Sequence, residues 1–200
     1  MKLILTVIVS CVVFFALQNI IPTEEEFEIY DATVRLHVIA NSDTESDQSL
    51  KLKVRDELLK EVGNYDLENK DQAVKKIERE KEALESIAKE VIKREGFDYE
   101  VSIEVGKEVY PSRYYEDFAL PAGEYTSVKV IIGQGNGQNW WCVLYPPLCT
   151  EVAVKRDEEA CVEAGLTKEQ YNLITDNETG EYKIKFKLLE IASEAFGIKK

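Results

Sequence analysis

Apolar and polar positions alternate most clearly at two places. From Phe97 to Val105, the residues Phe97, Tyr99, Val101, Ile103 and Val105 alternate with Asp98, Glu100, Ser102 and Glu104, the period of a half-buried strand. From Arg35 to Asn41, Leu36, Val38 and Ala40 share one face while Arg35, His37, Ile39 and Asn41 share the other. That second strand is unusual, because an ordinary solvent face carries Lys, Glu and Thr. Asn41-Ser42-Asp43 breaks the alternation, and Ser42 stands three residues before Glu45, which predicts a capping box opening a helix. Leu50, Val54 and Leu58 give this helix its apolar stripe, and Gly63-Asn64 ends it. A longer helix follows, with Ala73, Ile77, Leu84, Ile87, Val91 and Ile92 on its inner face and Gly96 at its close. Its outer face is dense in Glu and Lys, a solvated surface of one-turn ion pairs.

Lys107 to Ala122 reads as a long connection that is too aromatic for disorder. Tyr125–Ile132 is a strand, Gly133–Asn139 a glycine-rich turn and Trp140–Tyr145 a returning strand, so the two strands are expected to pair as a hairpin. Pro146-Pro147 ends it. Arg156–Gly165 predicts a short helix, and Tyr182–Phe196 a final amphipathic one with Phe186, Leu189 and Ala192 on one face. Two successive helices before the second strand argue for an α+β fold, a small, mostly antiparallel sheet packed against helices on one face.

The N-terminus has a different character. Lys2 precedes an apolar run from Leu3 to Leu17, and Pro22 and an acidic stretch from Thr23 to Glu28 follow. This is the pattern of an export segment, serving as a cleaved signal or as an anchor, since a run of about 15 residues, or ~19 with Gln18 to Ile21, approaches the ~20 that span a bilayer. The expected organisation is a signal peptide or signal anchor over residues 1–22, an acidic linker over 23–31, an α+β domain over 32–150, and a helical extension of that domain over 151–200. Residues beyond Pro22 are then extracytoplasmic. With 25 Lys and Arg against 38 Asp and Glu, the formal charge is -13. Such a chain is not expected to bind nucleic acid. Nor is it expected to dock on an anionic membrane, so membrane contact is left to the N-terminal segment.

Candidate chemistry is sparse. His37 is the one histidine, and of the four cysteines Cys11 lies in the export segment. Outside the cytoplasm cysteines tend to pair. The proline turn between Cys142 and Cys149 favours that pair and leaves Cys161 over, though spacing alone does not fix it. A cysteine hydrolase would need Cys142 or Cys149, His37, and Asn41 or Asp43 as orienting group. No local signature around either cysteine supports it, and a lone histidine on a polar strand face is more often a hydrogen-bonded structural residue. Cys142 and Cys149 lack zinc-ligand spacing. Gly133-Gln134-Gly135-Asn136-Gly137 is followed by a strand and by no Lys-Ser or Lys-Thr, so it is read as a turn rather than a phosphate loop. No metal or cofactor is expected. Trp141 and Val143 point one way along their strand, and Trp140, Cys142 and Leu144 the other. One Trp is expected in the core. The other is either an exposed contact anchor or covered by the connection before Tyr125.

Two stretches carry a family resemblance. The first is RLHVIANSD, then DQ, then LKLKVRD, between Arg35 and Asp56. The second comprises Pro111-Ser112-Arg113, Leu120-Pro121-Ala122-Gly123-Glu124-Tyr125, the glycine run, and Asn139 to Cys149, NWWCVLYPPLC. Together they resemble the stage II sporulation protein R family over roughly Asp31 to Thr150. The resemblance implies a secreted signalling protein of spore-forming Firmicutes. Such a protein is made in the forespore and exported into the space between the septal membranes. There it triggers a membrane-embedded aspartic protease that processes the precursor of sigma-E. It implies a ligand rather than an enzyme. Arg35, His37, Asn41, Asp43, Arg113, Trp140 and Trp141 are then the expected partner-binding residues, although the resemblance assigns none of them that role individually. The exported cysteine hydrolase is the alternative.

Overall fold

The computed structural model describes residues 6, 10, 24–65, 67–115, 118–148, 158–163 and 166–175. Helix α1 (Glu24–Ala32) is followed by strand β1 (Val34–Ile39) and helix α2 (Glu45–Gly63). Helices α3 (Lys70–Arg79) and α4 (Lys81–Arg94) come next, then strands β2 (Val101–Tyr110), β3 (Arg113–Tyr114), β4 (Ala119–Leu120), β5 (Gly123–Ile132) and β6 (Asn139–Tyr145). Short helices α5 (Glu158–Glu163) and α6 (Lys168–Thr175) end the described chain. The expected C-terminal helix over Tyr182–Phe196 lies outside the described residues, as does all of the expected export segment except residues 6 and 10.

The fold is α+β, and its main sheet is mostly antiparallel, with order β2-β5-β1-β6. β5 pairs antiparallel with β2, and β6 antiparallel with β1, but β1 and β5 run parallel. The expected β5–β6 hairpin is therefore a misreading, because β1 lies between the two strands. Stepping over one strand means crossing about 10 Å, twice the spacing of neighbours, which a tight two-residue turn cannot do. The glycine-rich connection does it by passing across the end of β1. Gly137 N–H donates to Ala40 C=O at 2.9 Å, and Asn136 N–H to Asn41 C=O at 3.1 Å.

One face of the sheet follows the apolar pattern. Leu36, Val38, Ile103, Val130, Cys142 and Leu144 pack under Leu50, Val54 and Leu58 of α2, Ala73 and Ile77 of α3, and Leu84, Val91 and Ile92 of α4. The expected long helix is two helices broken at Glu80, which caps both. The other face is covered as well, so helices do not lie on one side alone. Ile29 and Tyr30 of α1, Phe118, Leu120, Cys161, Leu166 and Ile174 form a second cluster with Tyr110, Tyr125 and Val143 of the sheet. The stretch expected as an acidic linker is thus α1, and it is anchored by two residues that the run of glutamates obscures. The strand expected to stop at Val105 continues to Tyr110.

Candidate functional site

The polar face of β1 is where the sequence concentrates its unusual residues, and the second layer covers it. Arg35 is 0 % exposed and His37 5 %, so neither lies on the expected solvent face. Arg35 sits between aromatic rings, its guanidinium carbon 4.4 Å from the Tyr110 ring centre and 4.9 Å from that of Tyr125. Its Nε donates to Cys142 C=O and its Nη2 to Tyr115 Oη, both at 3.0 Å. These are neutral acceptors. The positive charge is therefore held largely by ring faces and dipoles, which stabilise a desolvated cation better than hydrocarbon does. Burial pushes the Tyr110 and Tyr125 phenols well up, although Arg35 pulls the other way, so both rings stay neutral.

His37 is engaged at both ring nitrogens. Nδ1 lies 2.9 Å from Glu108 Oε1, and Nε2 lies 2.9 Å from Asn139 Oδ1. Glu108 also accepts from Ser127 Oγ at 2.9 Å and pairs with Lys129 at 3.1 Å. Burial alone would raise the Glu108 carboxyl, but His37, Lys129 and Ser127 together bring it down to about 2. Ser127 Oγ and Tyr110 Oη are 2.7 Å apart and tie this group to the rings around Arg35. Trp141 closes the outside. It stacks on His37 with ring centres 5.4 Å apart, and the Arg113 guanidinium carbon lies 3.6 Å from the centre of its ring. The connection before Tyr125 does fold back onto this Trp, by way of Arg113 and of Tyr115, whose hydroxyl donates to Trp141 C=O at 3.2 Å.

A second group lies at the end of β1. Thr44, not Ser42, caps α2, accepting from Asp47 N–H at 3.3 Å. Ser42 and Asn41 instead donate to the Asp47 carboxylate at 2.6 and 2.9 Å. Burial would raise that carboxyl, yet these hydrogen bonds hold it below its usual range. Asn41 Oδ1 accepts from Gln134 N–H at 3.0 Å, and Lys51 donates to Gln138 C=O at 2.9 Å. Burial pushes the Lys51 ammonium down, with Arg55 acting in the same sense. Gly133 has φ +58, and a Cβ there would collide with Asn41. At Gly137 a Cβ would meet the Ser42 carbonyl. The glycines are needed for close approach as much as for positive φ. On the same side Trp140 is 37 % exposed, with Arg55 4.2 Å from its ring centre.

The sequence-predicted residues therefore fall into two adjoining groups. Arg35, His37, Arg113 and Trp141 join one, and Asn41 the other. Asp43 is exposed beside the second, and Trp140 lies on the helix side of the sheet. Glu108, Tyr110, Tyr115, Ser127 and Asn139 were not anticipated. The signal for two of them was present, since Gly106, Glu108 and Tyr110 continue the alternation beyond Val105. Cys142 is disulfide-bonded. Cys149 lies outside the described residues, and Cys161 is a buried thiol. Among the described residues no group of three or more His, Cys, Asp and Glu gathers as a metal site.

This is a small α+β domain in which two separated signature stretches close on each other around the central strand of one sheet. The chain belongs to the stage II sporulation protein R family, whose model, "Stage II sporulation protein R (spore_II_R)", matches residues 30–155. It is 33% identical over 186 residues to "Stage II sporulation protein R" of Bacillus subtilis (strain 168), covering 84% of this chain and 83% of that one. It is thus a sporulation protein by family, and the relative's name describes no enzyme. No solved structure matches.

Proposed function

We propose that the chain is an exported signalling ligand that activates a membrane-embedded aspartic protease, which then processes the sigma-E precursor. Membership of the sporulation family carries this reading. The protein acts between forespore and mother cell, reached through residues 1–22. It needs no cofactor and performs no catalysis itself. The geometry supports a ligand over the cysteine hydrolase. Cys142 shares the helix-side core with Leu36 and Leu144, across the sheet from His37, and its sulfur is in a disulfide. Both His37 nitrogens already face oxygen partners, which leaves no free base for a nucleophile.

On this reading Arg35 and His37 hold the sheet face from within, and Asn41, Asp43, Arg113, Trp140 and Trp141 shape what the partner meets. Co-expression with the protease and its precursor substrate in a host that does not sporulate is the test. Processing that depends on this chain is the expected result. Absence of processing with the exported chain present in the membrane fraction would overturn the proposal.

A further inference from the structure

β2 is an edge strand with two unlike halves. Near its start, Ile103 N–H points away from β5 and donates to the Glu85 carboxylate of α4 at 2.8 Å. Antiparallel strands alternate inward and outward backbone groups, so Val105, Lys107 and Val109 also present N–H and C=O outward. Among the described residues nothing pairs with those three. The helices cover the first half and leave the second bare, and Val109 is 49 % exposed.

Gly106 lies in the middle of the bare half. Its φ is not positive, and a Cβ added there meets nothing within 4 Å. Among the described residues neither turn, bulge nor packing calls for glycine, which weakens a strand interior unless something approaches closely. Glu104, Gly106, Glu108, Ser127 and Lys129 line a shallow depression above it. A large side chain on a neighbouring strand would sit over the missing Cβ, as aromatics do over edge glycines.

From these observations we infer that Val105–Val109 is a docking edge for an extended segment of the partner protein, which adds to the sheet as a fifth strand beside β2. The segment presents a large apolar or aromatic side chain to Gly106, apolar ones to Val105 and Val109, and a basic one to Glu104. Backbone pairing supplies the affinity in such strand addition, and alternate side chains the specificity. A basic segment is favoured by the net charge of -13 and by Glu104, whereas Glu108 is already matched by His37 and Lys129. A second copy of this chain fits badly. Antiparallel pairing centred on Gly106 sets Glu104 against the copy's Glu108, and centring on Lys107 sets lysine against lysine. The inference rests on the ligand reading above.

The experiment uses the full chain co-expressed with the protease and precursor. Lys107→Pro removes an outward N–H while sparing the bonds to β5, and Gly106→Val fills the depression. Lys107→Ala keeps the backbone. The first two are expected to lower processing by about tenfold or more, and the third to leave it within about twofold. All three should melt close to the parent chain. Amide exchange in the same membranes, with and without the protease, should show protection of Val105, Lys107 and Val109. Protection without processing supports the edge and sinks the activation reading. Processing without protection, or undiminished in both blocking variants, overturns the edge, and loss of both signals in the parent chain overturns the two together. Protection that appears without the protease, and disappears when residues 176–200 are deleted, would put the chain's own tail on the edge and overturn the inference also.

Discussion

Glu108 is the residue on which the polar face depends, because it joins His37, Lys129 and Ser127. Its carboxyl is lowered from 4.5 to about 2, so it favours the folded state only when ionised. That stabilisation is complete above the unfolded value and disappears as pH falls from 4.5 toward 2. Between those limits the parent chain should lose about 2–3 kcal/mol that Glu108→Gln does not, as read by denaturant unfolding at successive pH values. Arg35 makes a different prediction. Arg35→Ala leaves a cavity and strips Cys142 C=O and Tyr115 Oη of a donor, which should cost about 3 kcal/mol or more in the same measurement. Asp43→Ala, at an exposed position, should stay within about 0.5 kcal/mol. The sequence marked Arg35 and His37 as unusual but placed them on the solvent face. Alternation tells which residues share a face and says nothing of what covers it. The cover comes from Ile29 and Tyr30 of α1 and from Phe118, Leu120, Cys161, Leu166 and Ile174, far away in the chain.

At the level of elements, the apolar periods located α2, the helical stretch after it (read as one helix where there are two) and β5 within a few residues, since each presents a regular stripe to one core. Pairing was less legible. The β5–β6 connection carries the composition of a hairpin, and only its length and its density of glycines hint that it crosses a strand. Those glycines make the crossing testable. Gly137→Ala places a methyl against the Ser42 carbonyl and should cost about 2 kcal/mol, the cost of overpacking a rigid contact. Gly63→Ala, whose Cβ meets nothing in the last turn of α2, should instead gain about 0.5–1 kcal/mol. Thermal melts of the two variants side by side make the comparison. The helix start was misplaced by two residues for a local reason. Ser42 looks like a cap, but it bonds the Asp47 side chain while Thr44 takes the backbone N–H.

For the molecule as a whole, the two signature stretches are one construction. Arg35 to Asp56 supplies the central strand, its turn and α2. Pro111 to Tyr145 supplies the flanking strands, the crossing loop and the aromatic cover. Their separation in sequence hid this, because the contacts join residues about a hundred positions apart, His37 with Asn139 and Lys51 with Gln138. The cysteines give a check at this scale. Mass mapping of the purified chain without reduction is expected to yield a Cys142–Cys149 peptide, and a Cys142–Cys161 or Cys149–Cys161 peptide would contradict the turn-based pairing. The polar face of β1 is an internal support, buried beneath the second layer. Equilibrium unfolding of His37→Ala tests it most directly. A loss of about 2–4 kcal/mol is expected, because Glu108 and Asn139 lose their shared partner inside the second layer. A loss within about 0.5 kcal/mol, with signalling abolished, would contradict it and return His37 to the surface.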